Sequence, residues 1–370
     1  MKEQLLHIRA LLQSAPGILA GKKVAAGFDG FVDSIVRVVN NKTEAGAVAY
    51  FDTIKDFGDY ISGKSGSGFS LESEELIQKL GGNMPIMANA MAQMGLPVAC
   101  VGAFGLPVHT AFSGMHQDCT LHSFTNPGFT TAMEFTDGKI MLAQMKELNH
   151  ADWDIIKNAL GLATLNAVFA QANLVCLVNW SELDQSNNIW QGLLADVFDR
   201  SEYTPARQFF FDLSDCSKRT ADVIKMAMDL IRSFGKYGSA VLSLNRNEAG
   251  ILYKILVADQ LPDDLQTIGD QLFSVLGITI LIIHTSKISL AWDAGGSYSN
   301  QPVFVANPTI STGAGDNFNA GFCIAQLMGM NTEQSLMLAN STSNCYIQTG
   351  HSPSLNLLEH YVSELISASL

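Results

Sequence analysis

The chain has 370 residues, 47% of them hydrophobic, enough to fill one large core or two and to exclude disorder as its main state. Its 35 acidic residues against 22 basic ones give a formal charge of −13, and without a lysine or arginine block nucleic acid is excluded as a main partner. The six cysteines (100, 119, 176, 216, 323 and 345) form no CxxC pair. They fit unpaired thiols in a reducing compartment, so a cytoplasmic location is expected.

Taken in chain order, Leu5, Ile8, Leu11 and Leu12 recur at helical spacing among Glu3, His7 and Arg9, which predicts an amphipathic surface helix rather than a signal peptide. "GFDGFVD" at 27–33 follows a first strand and places Asp29 and Asp33 in a strand-end loop. Carboxylates there either orient hydroxyl groups by accepting hydrogen bonds or are simply solvated. Residues 31–73 then begin strand-like and thin into a polar stretch containing "SGKSGSGFS", which predicts a loop. "GGNMPIMANAMAQMG" at 81–95 predicts a turn and a helix, with Asn83 as cap and Met84, Met87, Met91 and Met94 filling core.

From residue 97 a βαβα rhythm sets in. Strands are expected at 97–103, 173–179, 207–213, 239–245 and 278–284, several nearly continuous in β-branched or aromatic residues, as in sheets covered on both faces. Helices are expected at 151–164, 186–198, 220–234 and 263–275, then at 314–329, 332–347 and 355–368. "FTTAMEFTDGKIMLA" at 129–143 predicts a hairpin turning on Asp137-Gly138. This hairpin and the 31–73 segment break the rhythm and are expected to project as a cover. His109, His116, Cys119 and His122 match no metal-ligand spacing and predict a polar surface segment. The longest strongly apolar run, "LGITILII" at 276–283, is too short to span a bilayer, so no membrane partner is expected.

"STGAGDNFNAGF" at 311–322 puts two glycines and an acid where a strand gives way to a helix. Glycine lets a ligand approach the main chain, so the amides of Gly313, Ala314 and Gly315, with the helix dipole, suit a phosphoryl group during transfer. Asp316 is then placed to accept a proton from an attacking hydroxyl. The bland alternative is a helix start capped by Ser311 or Thr312. Asp316 lies five and four residues after these caps, whereas a capping box wants three. At "NRNE" (245–248), by contrast, Asn245 and Glu248 have the capping-box spacing.

"STGAGDNFNAGF", the Gly-Gly segment at 81–95, "VACVGAFG" after it and "NRNE" occur in the order found in the ribokinase-like (PfkB) carbohydrate kinases, which the chain resembles over about residues 24 to 354. The resemblance implies a doubly wound, mainly parallel α/β core (1–30, 74–128 and 144–370) with helices on both faces, and a small β-rich lid (31–73 and 129–143). It implies transfer of the terminal phosphate of ATP, with Mg²⁺, to a hydroxyl of a sugar or sugar-like substrate. Asp316 would be the base and Gly313 to Gly315 the anion hole. Asp29, Asp33, Gly81, Gly82 and Asn83 would meet substrate, and Asn245, Thr285, Ser286, Thr312 and Asn340 the nucleotide. Glu248 would order Mg²⁺-bound water. Ile86 stands where many members have a substrate-contacting asparagine, which points away from ribose. Ile310 stands where the signature carries an acid, which argues against a monovalent-cation site. "GGNMPIMA" and His284-Thr285 also resemble ADP-dependent sugar kinases, while "STGAGDNF" favours ATP. A nucleoside kinase and a non-catalytic sugar or nucleotide sensor are the rival readings, and exposed lid edges suggest a homodimer.

Overall fold

The protein is described by a computed structural model covering residues 2–43, 46–199 and 202–368. Fourteen strands form two sheets among these residues. In chain order they are β1 (Val24–Gly27), β2 (Phe31–Lys42), β3 (Val48–Tyr50), β4 (Ser73–Gly81), β5 (Val98–Gly102), β6 (Cys119–Ser123) and β7 (Gly128–Phe135), then β8 (Gly138–Gln144), β9 (Leu174–Leu177), β10 (Gln208–Asp212), β11 (Ser239–Asn245), β12 (Ile280–His284), β13 (Ser289–Asp293) and β14 (Gly296–Asn300). The large sheet runs β14-β13-β12-β11-β10-β9-β1-β5-β6. Its pairings are parallel except β12–β13 and β13–β14, which are antiparallel.

The nearly continuous apolar strands are explained by cover on both faces. Val24, Ala26, Val98, Cys100, Leu174, Cys176 and Phe210 pack into one cluster, while their neighbours Ala25, Val101, Val175, Leu177, Phe209 and Phe211 pack into another. Alternate residues of a strand point to opposite faces, so every position here meets a helix. Met84, Met87, Met91 and Met94 are at most 1% exposed in the first cluster, as core filler should be. The N-terminal helix Lys2–Leu19 buries Leu5, Ile8 and Leu12 in that cluster and packs on the C-terminal helix Leu355–Ala368; Leu11 is only half-buried.

Several elements depart from the periodicity. The expected helix over 151–164 divides into Trp153–Leu160 and Leu162–Leu165, because Gly161 between them has φ of +78°. Helix Arg246–Leu256 follows the capping signal at Asn245, and β13 and β14 form a hairpin that alternation alone did not mark. The histidine segment is not all irregular: Cys119 and His122 lie on β6, and His109 caps a single helical turn by accepting from the Ala111 amide at 3.1 Å. No group of three metal-ligating side chains occurs among the described residues, and none of their helices is long and apolar enough to cross a membrane.

The second sheet has the order β3-β2-β7-β8, with β4 also paired to β2. It draws on residues 31–81 and 128–144, so it extends beyond 73 along the whole of β4. The hairpin β7–β8 turns at Asp137-Gly138, and helix Ile54–Gly63, capped by Thr53, interrupts the loop-like segment. A small cluster of Val38, Phe51 and Phe57, with Tyr60, Met133, Phe135 and Ile140 against it, holds this unit together. The sheet stands over the C-terminal ends of the large sheet's parallel strands, where α/β proteins place their ligands.

Candidate active site

Two acids four residues apart have different surroundings. Asp29 follows β1 and is fully buried. Its Oδ2 accepts from the Asn83 amide at 2.9 Å and from Asn179 Nδ2 at 2.6 Å, and Oδ1 accepts from the Met84 amide at 3.0 Å. Asp29 therefore caps helix Asn83–Gln93 from a distance, with both carboxylate oxygens engaged by the protein. Burial pushes its pKa up to about 7 against the opposing hydrogen bonds of Asn179, Met84 and Asn83. Asn83, expected as the cap, instead donates its side-chain amide to Ser214 Oγ at 3.0 Å.

Asp33, the third residue of β2, is only half-buried and lines a cavity of about 300 Å³ with Lys79, Ile86, Thr312, Tyr346 and His351. Burial raises its pKa, while Thr130, Lys79 and Lys139 oppose the rise. The paired glycines make room for these carboxylates. A Cβ on Gly81 would lie 2.4 Å from Asp33 Oδ2, and one on Gly82, whose φ is +95°, would lie 2.6 Å from Asp29 Oδ2. A side chain at Gly81 would displace the Asp33 carboxylate, and one at Gly82 would also be strained by the backbone angle.

Helix Ala314–Leu327 starts at Gly313, which has φ of +91° and sits under Tyr346; a Cβ there would come 2.7 Å from the phenol oxygen. Tyr346 donates to the Thr312 carbonyl at 2.8 Å and so fixes the loop. Of the three amides expected to hold an anion, that of Ala314 donates to the Ser311 carbonyl at 3.2 Å and drops out. The amides of Gly313 and Gly315 have no protein acceptor among the described residues. Ile310 lines the 300 Å³ cavity and also a second cavity of about 440 Å³ formed with Ser286, Lys287, Phe304, Gly315 and Asn340. Asp316, one residue past Gly315, retains 9% of its surface. Burial first, then the charges of Asp212 and Asp29, push its pKa well above the carboxylate range.

The remaining expected contacts divide. Ser286 and Asn340 line the larger cavity, and the Asn340 amide donates to Ser289 Oγ at 2.7 Å and Asn300 Oδ1 at 2.6 Å. Thr285 lines the larger cavity as well, while its hydroxyl donates to the Ile288 carbonyl at 2.9 Å and receives the Lys287 and Ile288 amides, closing a turn. Thr312 belongs to the Asp33 cavity, not to the larger one, and its hydroxyl accepts from Lys139 at 2.9 Å. Asn245 and Glu248 form the capping box, and both Glu248 oxygens accept from Asn245. Burial and then the Asp212 charge push the Glu248 pKa up to about 9.

Sequence reasoning missed Asp212, which is buried at the end of β10 and held by the Ser214 amide and Asn319, and it missed Lys139. A polar residue ending a strand was the available signal for Asp212. For Lys139 only its place beside the Asp-Gly turn was visible. With Asp29, Asp212, Glu248 and Asp316 all buried in this region, the core side of the cleft is acid-rich. These acids do not converge as a metal-ligand set among the described residues, but a hydrated cation carried by phosphates would relieve their mutual repulsion.

The profile of the family described as prokaryotic ketohexokinase matches residues 2–365. A ketohexokinase of Haloferax volcanii is 26% identical over 353 residues, which cover 95% of this chain and 93% of that one. Among solved structures, an Arabidopsis thaliana ribokinase complexed with ribose and ATP aligns with TM-score 0.59 at 15% identity, covering 92% of this chain and 98% of its own. A ribokinase II candidate of Escherichia coli complexed with ATP and Mg²⁺ aligns with TM-score 0.63 at 12% identity, covering 93% and 99%. These structural likenesses bear on the fold, a ribokinase-like α/β core with a separate small sheet. The chain belongs to the prokaryotic ketohexokinase family and is, by that membership, a carbohydrate kinase.

Proposed function

We propose that this protein transfers the terminal phosphate of ATP to a hydroxyl of a ketohexose, with Asp316 as general base and the Gly313 and Gly315 amides as the anion cradle. The observation that carries the reading is the 310–316 loop, which walls two cavities at once and presents two amides without protein acceptors beside a buried carboxylate. The 440 Å³ cavity suits a nucleotide and the 300 Å³ cavity a sugar, held at Asp33. Asp33 accepts hydrogen bonds from sugar hydroxyls, and Ile86 supplies an apolar wall where an asparagine contact would otherwise stand. The small sheet is the lid. It closes over the cleft to exclude water that would hydrolyse the nucleotide.

In the transfer the substrate hydroxyl gives its proton to Asp316, its oxygen forms a bond to the terminal phosphorus, and the bond from that phosphorus to the nucleotide's bridging oxygen breaks. A carboxylate raised by burial takes that proton more readily than a solvated one. Positioning and charge stabilisation supply most of the rate. Magnesium, carried with the nucleotide, would neutralise phosphate charge, and Asp212 and Glu248 would hold its water shell. All six cysteines are unpaired, which supports a cytoplasmic location.

A panel of ketohexoses, aldoses and nucleosides, each with ATP and with ADP, tests this reading. Phosphorylation of a ketohexose with ATP at the highest kcat/KM is expected, and phosphorus NMR of the product identifies the oxygen. Preference for nucleosides or for ADP overturns that part of the assignment. Ligand binding with no turnover on any member would make the protein a sensor.

A further inference from the structure

On the core side of the cleft, the lysine that lines the proposed nucleotide cavity is Lys287, beside Ser286. Asp29, Asp212, Glu248 and Asp316 are buried acids, and burial holds His284, at the end of β12, neutral with its pKa pushed down to about 4. The cations near Asp33 come from the small sheet. Lys79 lies opposite Asp33 in the β2–β4 ladder, which commits it to the sugar side. Lys139 is the second residue of β8, just past the Asp137-Gly138 turn. Its Nζ crosses to the core and donates to Thr312 Oγ1 at 2.9 Å. Thr312 immediately precedes Gly313, whose amide has no protein acceptor. Lys139 also acts electrostatically on Asp33, so its ammonium stands between the proposed sugar acid and the proposed phosphate cradle.

We propose that Lys139 is a catalytic residue: with both substrates bound, its ammonium exchanges Thr312 Oγ1 for an oxygen of the transferring phosphoryl group and carries lid closure to the reacting phosphorus. The proposal rests on reading the 310–316 loop as the transfer site. A bond from an ammonium to an exposed neutral hydroxyl is modest, whereas one to a phosphoryl oxygen is charge-assisted and roughly twice as strong, so the exchange runs towards phosphate. Lysine's flexible stem and three rotatable donors allow the swap without moving the hairpin far. Lys139 gives up no proton in the step. Its charge stabilises oxygens that gain negative character while the phosphorus moves between acceptor and donor.

The test compares Lys139→Met, Lys139→Gln and Lys139→Arg in the full chain by steady-state kinetics, nucleotide binding and thermal melting. Loss of the charge is expected to lower kcat about 10²-fold in both neutral variants, with KM for ATP changed less than about threefold, and Lys139→Arg is expected to recover at least about a tenth of the activity. Glutamine still donates a neutral hydrogen bond to Thr312. A Lys139→Gln variant with wild-type kcat would therefore reduce Lys139 to a tether and overturn the proposal, as would a Lys139→Met loss confined to KM. Asp316→Asn separates the two claims. If that variant is inactive while Lys139→Met turns over normally, the Lys139 proposal alone fails; if Asp316→Asn turns over normally, the transfer-site reading fails with it.

Discussion

The two sheets meet the cleft in opposite ways. The nine-stranded sheet brings buried acids and backbone amides, each held from several sides, on strands covered on both faces. The five-stranded sheet brings Asp33, Lys79 and Lys139 on a unit held by a small aromatic cluster, with Ile77, Met141 and Leu142 exposed. A unit with so few buried contacts moves at low cost, while the core does not. On the proposed reading the base and cradle are preset, the core presents Lys287 to the larger cavity, and Lys79 and Lys139 come with the small sheet.

Damage to the core side is expected to act on chemistry and leave nucleotide binding measurable. Asp316→Asn removes the proton acceptor and should lower kcat about 10³-fold, with the nucleotide dissociation constant within a few-fold of wild type. Normal turnover in that variant would break the core half of the comparison. Gly313→Ala is expected to be next in size. Its Cβ would meet the Tyr346 phenol oxygen at 2.7 Å in a backbone region that strains any side chain. About 10²-fold in kcat and about 1–3 kcal/mol of stability should be lost, read by kinetics and by denaturant melts. On the lid side, Asp33→Asn keeps the shape but loses the charged acceptor, and should cost about 10- to 100-fold in kcat/KM, chiefly through the sugar KM. An equal effect on ATP affinity would show that the two cavities are not separate subsites.

The core was legible in the sequence and the lid less so, for a physical reason. Strands such as 207–213 and 278–284 are buried on both faces, and that requirement is written into every residue. β4 was not foreseen as part of the small sheet, because "EELIQKLG" faces solvent over most of its length and carries no burial pattern. The same holds at the site. "STGAGDNF" marks the cradle through glycines that local backbone geometry demands, but the occupation of the Ala314 amide depends on how the preceding turn closes. Asp29 and Asp33 look alike in "GFDGFVD", and only packing makes one a helix cap and the other a cavity wall. Lys139 reaches Thr312 across 173 positions of sequence, a pairing that no local pattern encodes.

The smallest expected effect concerns stability. Glu248 is buried in the core and its folded pKa is pushed up to about 9 from 4.5. Between those values the folded state holds a proton that the unfolded state has released, so stability must fall as pH rises and is lost through pH 9. Each such proton contributes at most about 1.4 kcal/mol per pH unit. The window from pH 7 to 9 is shared among the buried acids: Glu248 titrates near its top and Asp29 at its lower edge, burial also raises Asp316 and Asp212, and His284, pushed down to about 4, is largely neutral in both states there. The melting temperature is expected to decline across this window. Glu248→Gln should lessen that decline, since glutamine occupies the same capping position without titrating. A wild-type profile that is flat or rising from pH 7 to 9 would mean that Glu248 is ionised in the folded protein. The core side of the cleft would then be more strongly negative than its burial implies, and the demand on the lid's lysines larger still.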